Sequence, residues 1–256
     1  MNYLNSGVDW ALIVTYAFWL FFAGLILYLR REDRREGYPL EHDNGQLLPE
    51  GGFWFTALPK TYRKPFGGGE KTVPNGRRDT RTLALRRSSV APGSPYEPTS
   101  NPMLAGVGPG SYVERAKVPD LTAHGDPRIV PLRVAANFSV AKQDLDPRGL
   151  PVVGTDGRTG GTVKDLWVDR GEGVIRYLEV DLASGGRSVL LPITFALIDK
   201  GIKKHVKVEA ITAAQFADVP KTENPEQITY YEEERITTYY GGGLLYATAN
   251  RGEPLL

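Results

Sequence analysis

Twenty consecutive residues, Trp10 to Leu29, carry no charge, and the next seven read Arg30-Arg-Glu-Asp-Arg-Arg-Glu36. At about 1.5 Å rise per residue, such a helix reaches about 30 Å, the thickness of a bilayer's hydrocarbon core. Eleven of the twenty are Leu, Ile, Val or Phe, contributing roughly −3 to −7 kcal/mol towards insertion. Trp10 and Tyr28 fall at the two ends, where amphipathic rings prefer the headgroup boundary. Tyr16 and Trp19, three residues apart, share a face near mid-span. Either they touch a partner's helices, because their polar atoms are costly against lipid, or they simply face lipid. The run is too long for a cleaved signal peptide, and no positive start precedes it. The arginine collar places that end in the cytoplasm by the positive-inside rule, leaving Met1 to Asp9 on the periplasmic or lumenal side.

From Leu150 onward the apolar positions alternate at strand spacing. Leu150–Val153, Thr162–Val168, Val174–Leu182, Ser188–Pro192, Phe195–Ile198 and Val206–Val208 read as short strands. Turn signals at Thr155-Asp-Gly157, Asp169–Gly173, Ser184-Gly-Gly186 and Asp199-Lys-Gly201 separate them. Within Val174–Leu182, Ile175, Tyr177, Glu179 and Asp181 share one face, and Val174, Arg176, Leu178, Val180 and Leu182 the other. Spacing of 8 to 12 residues predicts a small antiparallel barrel. A helix is expected from about Pro225 to Tyr240, with Ile228, Tyr231, Arg235 and Tyr239 on or near one side and Gly241-Gly-Gly243 ending it.

Between these regions, Gly37 to Pro131 holds thirteen of the nineteen prolines and thirteen of the twenty-nine glycines. That punctuation forbids a long helix or wide sheet. Yet Phe53, Trp54, Phe55, Tyr62, Phe66, Tyr96 and Tyr112 are scattered through it, whereas solvated linkers are poor in aromatics. The favoured expectation is an extended strap buried against another subunit; the alternative is an irregular domain with short strands.

Composition narrows the function. A formal charge of +1 argues against a general nucleic-acid binder. The absence of cysteine excludes disulfides, thiolate metal sites and a Cys nucleophile. No phosphate loop, Gly-x-Ser-x-Gly, His-x-x-x-His or dinucleotide fingerprint occurs. Two clusters can carry proton chemistry. Asp120-Leu-Thr-Ala-His124-Gly-Asp126 groups a histidine with two carboxylates; it can exchange protons, hold a cation loosely, or be a polar surface loop. Asp169, Glu172 and Arg176 surround one turn and the next strand; a carboxylate facing a low-dielectric interface could relay protons there. The alternative is a strand-end salt bridge between Glu172 and Arg176.

A series of motifs, taken in order, resembles the family of H subunits of the purple bacterial photosynthetic reaction centre. They are Leu29-Arg-Arg-Glu-Asp-Arg-Arg-Glu-Gly-Tyr-Pro-Leu40, Pro98-Thr-Ser-Asn-Pro102, Val107-Gly-Pro-Gly-Ser-Tyr112, Ile129-Val-Pro-Leu-Arg-Val134 and Asp146-Pro-Arg-Gly-Leu-Pro-Val152. Asp165-Leu-Trp-Val-Asp169, Arg176-Tyr-Leu-Glu-Val180 and Gly241-Gly-Gly-Leu-Leu-Tyr-Ala247 continue the match. The segment from about Leu150 to Pro220 resembles the PRC-barrel module.

The resemblance implies a single transmembrane helix, a mainly β cytoplasmic domain, an extended irregular strap, a small antiparallel PRC-type barrel and a C-terminal helix. The expected division is 1–9 periplasmic, 10–29 transmembrane, 30–131 strap over partner subunits, 132–220 barrel and 221–256 helix and tail. It further implies a non-catalytic cap over the L and M subunits in an intracytoplasmic photosynthetic membrane. Those partners would hold bacteriochlorophyll, bacteriopheophytin, quinone, non-haem iron and carotenoid, with a cytochrome subunit, antenna and membrane lipids around them. This chain itself would bind no pigment, metal or nucleic acid. By family position, Glu172 matches a carboxylate near the quinone side of the barrel, with Asp169 and Arg176 beside it. His124 matches a histidine at the surface proton entrance. Asp126 stands where some relatives carry a second histidine, and Thr122 where some carry an acid. Trp10, Tyr28, Arg30 and Arg31 would lie at the membrane interface, and Tyr16 and Trp19 against partner helices. A membrane-tethered PRC-barrel adaptor for RNA or ribosomal protein is the alternative; a membrane-anchored hydrolase lacks any nucleophile–base arrangement.

Overall fold

The structure, a computed structural model, describes residues 7, 9–42, 46–49, 52, 56–77 and 79–251. The chain divides into two compact units. One comprises Met1–Arg81 with Ala91–Gly93; the other comprises Thr82–Val90 with Ser94–Leu256.

The first unit begins with α1 (Trp10–Glu32). Asp9 caps it by accepting the Leu12 N–H at 3.1 Å, and Arg30 and Arg31 lie in its last turn, opposite the negative end of the helix dipole. The helix outruns the apolar stretch because Arg30, Arg31 and Glu32 are good helix formers. With the 3-10 turn Asp33–Arg35 it is the one helix among the described residues long and apolar enough to cross a membrane, and none of its residues is buried. Arg35 then ties the chain down. Its guanidinium meets Glu32 at 2.6 Å, the Leu58 carbonyl at 2.5 Å and the Val73 carbonyl at 3.2 Å. These contacts anchor the antiparallel pair β1 (Lys60–Arg63) and β2 (Glu70–Val73). Tyr62 and Phe66 are exposed on this pair and its turn. Phe53, Trp54 and Phe55 lie outside the described residues, as do most of 1–9 and the tail after Arg251.

The second unit starts with the pair β3 (Leu85–Arg87) and β4 (Tyr96–Pro98), then α2 (Pro102–Ala105), capped by Asn101 and opened by a proline. The strands β5 (Ile129–Pro131), β6 (Pro151–Val153), β7 (Thr159–Asp169), β8 (Val174–Leu182), β9 (Ser188–Pro192), β10 (Leu197–Asp199) and β11 (His205–Lys207) form one sheet. Its order is β10-β11-β6-β7-β8-β9, with β5 added to the end of β7. Every pair is antiparallel except β11 with β6, where Val206 lies beside Val152. That parallel pair corrects the all-antiparallel expectation. Four strands and more than fifty residues separate β6 from β11, so no hairpin dictates their direction. Short strands thus recur through Lys60–Pro98, as in the alternative of an irregular domain, and Thr82–Val90 with Ser94 to Pro131 falls in the same unit as the barrel.

The core is built from Val152, Leu166, Trp167, Leu178, Leu191 and Val206 on the strands, closed by Ile211, Phe216, Ile228, Ile236 and Tyr240. The centre of β8 is buried on both faces, Tyr177 to Val180. Two register shifts interrupt β7 and β8, between Val163 and Asp165 and between Trp167 and Val168. The second leaves Arg176 unpaired opposite β7, so it departs from simple alternation.

The C-terminal helix α3 runs Tyr230–Tyr246, not Pro225–Tyr240. Its start is set by Thr229, whose hydroxyl and backbone form a capping box with Glu232. It passes straight through the three glycines, because they serve close packing. A Cβ on Gly242 would lie 3.0 Å from Gly110 Cα, and one on Gly243 only 2.4 Å from Ala210 O. The buried side of α3 carries Glu232, Ile236, Tyr239, Tyr240 and Gly243. Tyr231 instead meets Tyr112 edge to face, Arg235 lies over the Tyr112 ring, and Ile228 precedes the helix. Arg251 closes the far end by donating to Gly243 O at 2.9 Å and Ala210 O at 3.2 Å.

Candidate functional site

The turn between β7 and β8 is organised by one carboxylate. Asp169 Oδ1 accepts the backbone N–H groups of Gly171 at 2.8 Å and Glu172 at 3.1 Å, while the Asp169 carbonyl takes the N–H of Gly173 at 2.8 Å. Gly173 is at φ +68°, where only glycine is unstrained. Asp169 is 2% exposed. The same Oδ1 receives Arg128 Nε at 2.8 Å. From Arg128, Nη2 reaches Glu172 Oε1 at 2.6 Å and Nη1 reaches Asp120 Oδ2 at 3.3 Å. Asp120 Oδ1 in turn accepts the hydroxyl of Tyr230, on the first turn of α3. One guanidinium thus joins three carboxylates drawn from a loop, a strand end and a turn.

The electrostatics follow burial and partners. Burial pushes the Asp169 carboxyl up, but Arg128 and the two backbone N–H groups outweigh it and hold the group below its ordinary value. Burial and the adjacent Asp120 push the Tyr230 hydroxyl up to about 12. Arg128 is held more firmly charged, first by its hydrogen bond to Asp169.

The sequence-derived residues do not all meet. Asp169 and Glu172 join through Arg128, a residue the sequence reading did not select. Arg176 pairs with neither; the Glu172–Arg176 bridge is replaced by Glu172–Arg128. The charge of Arg176 acts instead on Glu233 and Tyr177. His124 and Asp126 are exposed on the tight loop 121–127, closed by the Leu121–Pro127 bridge and the Thr122 N–H to Asp126 O bond at 2.8 Å. The Arg128 N–H to Asp120 O bond, 2.8 Å, fastens that loop beside the network. Among the described residues no group of three or more metal-ligating side chains occurs. On α1, Trp10, Tyr16, Trp19 and Tyr28 are exposed, and Arg30 lies 3.9 Å from Asp33.

A second charged cluster escaped the sequence reading. Glu179, 6% exposed, accepts Arg133 Nη1 at 2.6 Å and Trp167 Nε1 at 3.0 Å, with Lys164 Nζ at 3.1 Å. Arg133 also reaches Asp165 at 3.0 Å and the Pro225 carbonyl at 2.5 Å. Burial opposes ionisation of Glu179, but these three donors hold it below its ordinary value. The one signal available was a glutamate between Tyr177 and Asp181 on a face that begins with Ile175.

Beside the acidic turn, an apolar cavity of about 500 Å³ opens at the barrel end, lined by Leu132, Phe138, Val168, Ile175, Ile193 and Ile198, with Gly173 and Val174 at its edge. Gly173 and Val174 thus link the Asp169 turn to this cavity, whose lining also takes in Ser139, Asp144 and Lys200. Residues 2–134 match the family model for the photosynthetic reaction centre, H-chain N-terminal region, and residues 142–215 match that for the PRC-barrel domain.

Proposed function

This chain belongs to the photosynthetic reaction centre H-chain family, whose members are non-catalytic structural subunits of that complex, and on that premise we propose that it caps the cytoplasmic face of the L and M subunits and supplies part of the proton path to their secondary quinone. Reduction of a quinone to quinol takes up two protons, and a cap that bars bulk water must offer titratable groups in its place. The observation that carries this reading is the Arg128-centred network. It runs from half-exposed Glu172 to buried Asp169 and on to Asp120, next to the loop bearing His124 and Asp126. Glu172 stands at the outer edge of the network, its side chain 56% exposed, so its carboxyl is the one free to exchange a proton with a partner's groups. The apolar cavity beside it suits a protein surface rather than water.

In this assembly α1 is the membrane anchor, with Trp10, Tyr28, Arg30 and Arg31 at its boundaries and Tyr16 and Trp19 against partner helices. Residues 1–9 lie in the periplasm, and bacteriochlorophyll, bacteriopheophytin, quinone and non-haem iron belong to the partners. Glu172→Gln keeps shape and hydrogen bonding but cannot ionise. In the purified complex it is expected to slow proton-coupled second-electron transfer to the quinone while leaving primary charge separation intact. Unchanged second-electron kinetics across about pH 6 to 9 would remove Glu172 from the path.

A further inference from the structure

Glu233, on α3, is a half-buried carboxyl outside the Arg128 network. It follows Tyr230 by three residues on α3, so the two side chains leave the helix on one face. Its Oε2 accepts the hydroxyl of Tyr177 at 3.0 Å, and that tyrosine is 3% exposed. Its Oε1 takes no hydrogen bond from any described residue. Charged and titratable groups face it from each element packed there. Arg176 and Tyr177 come from β8, Arg115 and Asp120 from the segment that bridges to Thr229 through Pro119, and Tyr230 from α3 itself. Glu234, next in the helix, also lies near Arg115, at 3.9 Å, and accepts the Val113 N–H at 3.4 Å.

We propose that Glu233 is a proton-holding group of this face, taking up a proton at Oε1 and returning it to the rim beside Asp120, with Tyr177 and Arg176 setting its proton affinity. This deepens the proton-path reading and rests on it. The step is a plain protonation: the carboxylate becomes a carboxylic acid, Oε2 continues to accept from Tyr177, and no other bond changes. Burial raises the affinity of this carboxyl, Asp120 adds to that, and Tyr177, Arg176 and Arg115 reduce it without cancelling the effect of burial. Arg176 thereby acquires a role distinct from carrying protons. It is a positioning charge, placed by the register shift after Trp167 on the side of Glu233 rather than Glu172. Holding a carboxyl protonated beside an ionised network lets one proton wait while the next is delivered.

The test is an infrared titration of the full chain in its native complex, from about pH 5 to about pH 9. Wild type is expected to lose a carboxylic C=O band above the range of exposed glutamates. Glu233→Gln removes that band, and Glu233→Asp, which keeps a carboxyl, restores one at a shifted position. Tyr177→Phe and Arg176→Gln each take away a group that favours the ionised form, so each moves the midpoint up, by about one pH unit. A band that survives Glu233→Gln overturns the proposal, as does a midpoint that neither Tyr177→Phe nor Arg176→Gln moves. Flash-induced proton uptake separates this inference from the reading beneath it. Slowed uptake in Glu172→Gln with normal uptake in Glu233→Gln overturns the role of Glu233 alone. Normal uptake in both variants, with the Glu233 titration intact, overturns the proton path and the part of Glu233 in it together.

Discussion

Arg128 Nε lies 2.8 Å from Asp169 Oδ1, joining the residue before β5 to the last residue of β7 across 41 positions of sequence. The bond fixes the turn that presents Glu172, because the same oxygen organises the backbone of Gly171 and Glu172. This edge of the barrel is thus held by a carboxylate that is itself buried.

Removing the guanidinium tests that arrangement. Arg128→Gln leaves Asp169 buried with only its backbone donors. Asp169 has a lowered folded value, so its contribution is present above the ordinary carboxylate range and is lost as pH falls through the folded value. The variant is therefore expected to melt below wild type at neutral pH, with the gap shrinking towards about pH 3. Thermal denaturation at several pH values measures it. A gap of constant size would mean that Arg128 acts through packing alone.

The Glu179 cluster makes a larger claim on stability. Glu179→Ala strips the acceptor from Arg133, Lys164 and the buried Trp167 indole, and loss of a buried, paired carboxylate costs roughly 2–4 kcal/mol. Glu179→Gln, which still accepts from one or two donors, is expected to lose less than half of that. Denaturant midpoints followed by tryptophan fluorescence would distinguish them. Equal losses would show that charge, not hydrogen bonding, holds the cluster.

The span and barrel strands were legible because each has a period or length that elementary physics assigns to one structure: an uncharged run as long as a bilayer is thick, and alternation broken by Gly and Asp turns. The site was legible only as far as its own turn. Asp169 and Glu172 are neighbours in sequence, but Arg128 reaches them through the pairing of β5 with β7, which no local pattern encodes. Proximity in sequence offers Arg176 a bridge to Glu172 as one alternative, but a register shift leaves Arg176 unpaired opposite β7. Asp165 and Glu179 read as ordinary polar strand positions, since burial with a distant Arg133 leaves no mark on their immediate neighbours. The glycines of α3 show the same ambiguity: a triplet that ends a helix and one that permits close packing have the same letters.

Those glycines give a paired test. Gly243→Ala places a Cβ 2.4 Å from Ala210 O and 2.6 Å from Ile211 Cγ2. One contact is backbone, so the helix must shift, at a cost of about 1–3 kcal/mol. Gly241→Ala meets only Pro109 O at 3.4 Å, and better helix propensity is expected to stabilise it by up to about 1 kcal/mol. Opposite signs of change in melting temperature are the expected result. Stabilisation by both would mean that α3 can move off Ala210 freely.

Tyr230 ties the first turn of α3 to the Arg128 network, and its titration supplies a test at the alkaline end. Its hydroxyl donates to Asp120, and burial with that carboxylate raises it to about 12, against about 10 in an unfolded chain. A group that binds its proton more tightly when folded adds stability that is complete below the unfolded value and lost as pH rises through the folded one. Wild type is therefore expected to carry an extra loss of stability between about pH 10 and about pH 12 that Tyr230→Phe lacks. At neutral pH the variant gives up one partly exposed hydrogen bond to a carboxylate, about 1 kcal/mol. The two stability curves should then converge in the alkaline range. Lysine and arginine titrations act on both proteins alike and cancel in the difference. Parallel curves up to about pH 12 would show that the Tyr230–Asp120 bond contributes nothing that depends on the tyrosine proton, and would detach α3 from the network at Arg128.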